Sequence, residues 1–218
     1  MEDSAFFEAI KSEEIATVRR LLDAKPALVD AKSAEGLSPV LIALYYGKPD
    51  IAQLILERDL QPDIFDAAAS GDLDIVKKLV GEQPELVNAY NVDGFQPLGL
   101  AAFFGREQVA EFLLERGAEV NSASQNSMRV MPLHSAAASQ NLKIARSLLE
   151  HGADPNASQS DEFRPIHEAA QNGQLEMVQL FLEYGADPAL PAANGKNASD
   201  YARESGNQGV ISLLTEND

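Results

Sequence analysis

The chain has 218 residues, of which 45% are hydrophobic, enough to bury a substantial core. Its formal net charge is −17, a balance that repels nucleic acid and anionic lipid and favours partners with a basic surface. The absence of cysteine excludes disulfides, thiol catalysis and cysteine-based metal sites.

The first residues, MEDSAFFEAIKSEE, have no basic region and no long apolar run, so no secretory signal is read there. No later stretch approaches membrane-spanning length. A soluble, cytoplasmic protein is expected.

Residues 1–59 and 59–117 align without a gap at an offset of 58. Phe7 falls on Phe65, Ser12 on Ser70, Val18 on Val76, Pro26 on Pro84, Gly36 on Gly94 and Pro39 on Pro97. So many matches in a row indicate duplication of a block, and the block is itself two units long. The unit is clearest at residues 132–156, PLHSAAASQNLKIARSLLEHGADPN, and again at 165–188, PIHEAAQNGQLEMVQLFLEYGADP. The two are offset by 33, taking His134 to His167 and Leu148 to Phe181. A fixed period of that size marks a helical repeat array.

Each part of the unit has a physical reading. Pro132 and Pro165 suit the first position of a helix, where no N–H is needed and φ is already right. The alanines that follow (Ala136, Ala137, Ala169, Ala170) allow close helix packing. Asn141 and Gly173 are read as closing that helix, glycine being suited to a left-handed cap. A second helix carries Leu142, Ile144, Ala145, Leu148 and Leu149 on one face. One pair cannot bury its apolar face alone; a stack of pairs can.

In chain order, first helices are predicted near 4–11, 39–46, 63–69, 97–104, 132–139, 165–172 and 198–204. Second helices are predicted near 14–24, 49–58, 73–82, 107–116, 142–150, 175–184 and 208–215. The period, the PLHxA motif and the closing GADPN or GADP together resemble the ankyrin repeat family. The resemblance implies an all-α solenoid of about seven helix pairs, with β-hairpin fingers between pairs and capping repeats at the ends. The approximate repeats are 1–33, 34–60, 61–91, 92–124, 125–157, 158–191 and 192–218 in one array. Between pairs two and three only Asp59–Leu60–Gln61–Pro62 is available, so a finger is expected to be missing there. Pairs one and seven are polar enough to cap the stack, and the terminal TEND is expected to fray.

The chain also departs from the family pattern. The helix-capping position before the proline holds Ser38, Gln96, Met131 and Arg164, of which only Ser38 caps in the usual way. The fingertip glycine, kept at Gly36, Gly94 and Gly195, is replaced by Arg129 and Glu162. Irregular fingers are therefore expected at 121–131 and 157–164.

No catalytic or cofactor constellation stands out. His134 and His167 share a slot in neighbouring repeats, but stacked helices lie about 10 Å apart, too far for one small ion. Hydrogen bonding within and between repeats is the favoured role for both. Calcium-loop, phosphate-loop and nucleophile-elbow patterns are all missing. The expectation is a protein with no cofactor, no metal and no enzymatic activity.

The aromatic residues are more informative. The resemblance implies that the two positions before the first-helix glycine face a concave groove: Tyr45–Tyr46, Phe103–Phe104, Ser139–Gln140 and Gln171–Asn172. The position after the fingertip does likewise, giving Leu37, Phe95, Val130 and Phe163, with Met128 nearby. A contiguous exposed apolar patch marks an interaction site. The chain is thus expected to bind another protein, with a basic surface, through this groove. Some rings, Tyr45 and Phe103 first, are candidates to turn inward instead. A monomer is expected, with a homo-oligomer using the same patch as the alternative. A regulatory inhibitor of an enzyme, or a small-ligand carrier using the groove opposite the missing finger, is the remaining reading.

Overall fold

The computed structural model describes residues 2–58 and 61–215. Seven helix pairs follow one another: α1 (Glu2–Lys11) with α2 (Ile15–Ala24), α3 (Pro39–Tyr45) with α4 (Pro49–Leu56), α5 (Ile64–Ser70) with α6 (Leu73–Glu82), α7 (Pro97–Phe103) with α8 (Glu107–Glu115), α9 (Pro132–Ala138) with α10 (Leu142–Glu150), α11 (Pro165–Gln171) with α12 (Leu175–Glu183), and α13 (Ala198–Ser205) with α14 (Gln208–Thr215). The short link expected to lack a finger includes Asp59 and Leu60, and the end expected to fray is 215–218; Asp59, Leu60 and 216–218 lie outside the described residues, while Thr215 is the last residue of α14.

Proline opens α3, α4, α7, α9 and α11, as its missing N–H and fixed φ dictate. The first helices stack side by side, α1 on α3 through to α11 on α13. Their shared faces are built from fully buried alanines, among them Ala68, Ala101, Ala136 and Ala169, whose small size lets backbones approach. The second helices pack behind with larger side chains such as Leu113, Ile144, Leu148 and Phe181, all buried. The duplicated block is visible in three dimensions: Pro26–Asp30 and Pro84–Asn88, 58 residues apart, form the same 3-10 turn.

The core has two parts. One runs from α5 to α14, and the other covers α1 to α4 and recruits Ala69 of α5 and Leu100 of α7. Phe65 packs against both.

The fingers depart from expectation in one respect. No residue among those described lies in a strand. Each finger is instead a tight hairpin turn whose base is joined by one main-chain bond: Ser33 to Leu37, Asn91 to Phe95, Ser124 to Val130, Gln159 to Phe163, Ala192 to Lys196. Arms this short have no room for a ladder. The tips are linked to one another instead. Gln125 N–H donates to the Gly94 carbonyl (2.8 Å), Ser160 N–H to that of Met128 (2.9 Å), and Ala193 N–H to that of Asp161 (2.8 Å). Gly94 is required there, since a Cβ would sit 2.9 Å from the main-chain nitrogens of Gln125 and Asn126. The substituted tips keep the left-handed backbone without glycine, with φ of 54° at Arg129 and 53° at Glu162. Asp161 joins them at 58°, which makes the sixth finger the most irregular.

Candidate protein-binding groove

Where the finger row meets the first helices, the surface sinks into a cavity of about 440 Å³. Its walls are Tyr45 from α3, Leu100 and Phe103 from α7, and Phe95, Met128 and Val130 from two fingers. His134, Ser135 and Ala138 of α9 form another side, and Asp93, Asn126, Gln159 and Glu168 complete the lining. Five residues singled out in the sequence, Tyr45, Phe95, Phe103, Met128 and Val130, therefore meet in one place.

Of the cavity's lining, Phe103 (44% exposed) and Met128 (51%) are the large hydrophobic side chains that stand exposed to solvent. Behind them the rings brace one another. Phe103 and Phe104 stand edge to face with centroids 5.1 Å apart, and Tyr45 lies 5.5 Å from Phe104 and 6.3 Å from Phe103. Such tilted pairs are the favoured aromatic geometry.

The other predicted residues are distributed differently. Leu37 is buried in the N-terminal core and lies outside the cavity. In pair four the inward-turning ring is Phe104, not Phe103. Phe104 follows the last helical residue, at φ −91°, and packs with Tyr45 and Phe95 against the N-terminal core. Tyr46 is half exposed but lies outside the cavity, with the Lys11 ammonium 5.6 Å above its ring. Phe163 is half-buried, its ring 5.4 Å from both His167 (tilted) and Tyr201 (edge to face). Gln171 and Asn172 are exposed, the Asn172 amide donating to Glu168 (2.8 Å).

Gln140 corrects the register in repeat five. Its φ of 57° puts it in the slot that Gly47, Gly105 and Gly173 occupy at 66–68°. The pair equivalent to Phe103–Phe104 in that repeat is thus Ala138–Ser139, not Ser139–Gln140; Ala138 lines the cavity, while the Ser139 hydroxyl donates to the Ala102 carbonyl (2.8 Å). Asn141 does not close α9; its side chain caps α10 by accepting from Ile144 N–H (3.0 Å). Counting eight residues on from the proline would have found this, since Pro39, Pro97 and Pro165 all precede their glycine by that interval.

The two buried histidines link repeats. His134 Nε2 donates to the Phe163 carbonyl (3.1 Å) and His167 Nε2 to that of Leu190 (2.9 Å). Burial pushes His134 down to about 4, against the pull of the Phe163 carbonyl, and lowers His167 as well. The unprotonated Nδ1 of His134 is buried without a partner, as are the Ser135 and Tyr45 hydroxyls. Burial, then the neighbouring Asp93 carboxylate, raises the Tyr45 phenol.

One inter-repeat device was missed in the sequence. Asn88, Asn121 and Asn156 each donate to the carbonyl of the glycine ending the next second helix (Gly117, Gly152, Gly185) at 2.9–3.3 Å. Each also accepts from a main-chain N–H two residues later, at 2.8–2.9 Å. Their near-regular spacing was the available signal.

Among the described residues no group of three or more histidine or acidic side chains is placed to hold a metal, and no helix is long and apolar enough to cross a membrane.

The chain matches two family models, "Ankyrin repeats (3 copies)" over residues 64–159 and "Ankyrin repeats (many copies)" over 148–202. Together these span more than half of the sequence. It belongs to the ankyrin repeat family. Among curated ankyrin-type relatives, rat "Ankyrin repeat and SAM domain-containing protein 6" is 37% identical over 99 residues, 45% of this chain and 11% of that protein. Human "BCL-6 corepressor-like protein 1" is 37% identical over 108 residues, 49% of this chain and 6% of the relative. "Alpha-latrocrustotoxin-Lt1a" of Latrodectus tredecimguttatus is 29% identical over 129 residues, 56% of this chain and 9% of the toxin. The chain thus spans about a tenth or less of these relatives' lengths. Ankyrin repeats are in general protein–protein interaction modules, and the cavity lies on the finger side of this array.

Proposed function

We propose that this ankyrin repeat chain is a non-catalytic recognition module that grips a partner protein in the groove between its fingers and first helices. The observation that carries the reading is the exposed apolar wall of Phe103 and Met128 over a cavity of about 440 Å³. Aromatic and methionine side chains of this kind are enriched at interface centres. The net charge of −17 would steer a basic partner and make association salt-dependent. The module acts as a monomer in the cytoplasm, and neither nucleic acid nor membrane is its target.

The test is affinity capture from the native host followed by mass spectrometry. Phe103→Asp/Met128→Asp is compared with wild type and with Tyr184→Asp, a control on an exposed ring at the end of α12. Partners lost only with the groove double variant support the reading. Equal capture by all three, with unchanged helical circular dichroism, contradicts it. Light scattering addresses the homo-oligomer: a dimer dissociated by the same double variant would assign the patch to self-assembly.

A further inference from the structure

The chemistry of the cavity is one-sided, and this bears on what enters it, given the groove reading above. Its carboxylates are Asp93 and Glu168, and neither Lys nor Arg lines it. No ion pair engages either carboxylate among the described residues. His134 is 4% exposed and Ser135 1%. The Nε2–H of His134 is committed to the Phe163 carbonyl, so its Nδ1 is left with a lone pair. That atom and the Ser135 hydroxyl are buried with no hydrogen-bond partner. Around these polar groups stand the Tyr45, Phe95 and Phe103 rings and the Met128 and Val130 side chains.

An apolar side chain would satisfy the rings but seal the Asp93 and Glu168 carboxylates away from donors, which is unfavourable. A lysine would bring one strongly hydrated point charge. A guanidinium brings five donors in a plane, is weakly hydrated and stacks on aromatic faces. We infer that the cavity is an arginine subsite, in which a partner segment lays an arginine stem along Phe95, Phe103 and Met128 and directs its guanidinium to Asp93 and Glu168. Protein partners would then be selected by a basic residue carried beside apolar ones, not by apolar surface alone.

The test is a nuclear magnetic resonance titration of the whole chain with a blocked tetrapeptide containing one arginine. The same peptide with citrulline, lysine or norleucine in its place serves for comparison. Citrulline keeps the shape and removes the charge. Arginine should shift the amides of Phe103 and Ser135 and the Met128 methyl, with affinity about tenfold or more above citrulline, the range of a charged hydrogen bond. Asp93→Asn/Glu168→Gln should erase that difference.

Three results would overturn the inference: equal binding of citrulline or norleucine, shifts lying elsewhere, or none up to about 10 mM peptide. Partners captured equally by wild type and by Asp93→Asn/Glu168→Gln would also sink the arginine subsite while leaving the groove reading intact. Failure of the groove reading itself shows separately, as capture insensitive to Phe103→Asp/Met128→Asp.

Discussion

Ser38 of the second repeat donates a short hydrogen bond from its hydroxyl to the buried Asp66 carboxylate of the third, while the same Ser38 oxygen accepts from Leu41 N–H (3.0 Å) to cap α3. A carboxylate thus sits in the seam where the two halves of the core meet. Burial, with a contribution from Asp63, raises Asp66 from 3.8 to about 7, against the Ser38 bond and Lys32.

The sign of the resulting pH dependence follows. The folded state holds this proton more tightly than the unfolded chain. Its stabilising contribution is whole below about pH 3.8, declines as pH rises, and is gone above about 7. Asp66→Asn should therefore be more stable than wild type at pH 8, and its advantage should grow by roughly 2–3 kcal/mol between pH 5 and 8. Urea unfolding of both proteins across that range checks this.

His134 works in the opposite direction. Its pKa falls from 6.5 to about 4, so it favours the fold above pH 6.5 and that support is lost as pH falls through 4. Nitrogen-15 spectra of the ring at pH 6 should show a neutral imidazole protonated at Nε2, the tautomer that the Phe163 carbonyl demands. An imidazolium at pH 6 would contradict this.

Left-handed backbone at non-glycine positions is strained. Arg129, Gln140 and Glu162 adopt φ of 53–57°. Replacing any of them by glycine should raise stability by about 0.5–1 kcal/mol, the relief exceeding the added chain entropy. Thermal unfolding checks each substitution singly.

Asn121 bridges to Gly152 and Asp154, and Asn156 to Gly185 and Asp187. Asn121→Ala or Asn156→Ala should each cost about 1–2 kcal/mol, two net hydrogen bonds' worth. The positions are exposed or half-buried, so packing loss is small. Hydrogen exchange should quicken locally, at the ends of the two second helices that each asparagine joins.

What the sequence made legible was the periodic part. The prolines, alanines and leucine faces set helix type and order, because each acts on its own turn or on an identical neighbour. The residues that went astray depend on one backbone angle or on a partner far along the chain. Gln140 was missed because a left-handed slot normally declares itself with glycine. Phe103 and Phe104 exchanged roles because the choice of inward ring depends on how α7 leans against the N-terminal core, a contact spanning two repeats. Leu37 looked groove-facing by position, yet its side chain is buried in the N-terminal core.

The central claim, that a partner is held between the fingers and the first helices, is tested most directly by amide hydrogen exchange on the complex recovered by capture. Slowed exchange confined to residues 93–104 and 126–139, with α2, α6, α8 and α12 unchanged, is the predicted outcome. Protection on those second helices, with the Phe103–Met128 segment exchanging as in the free protein, would contradict it.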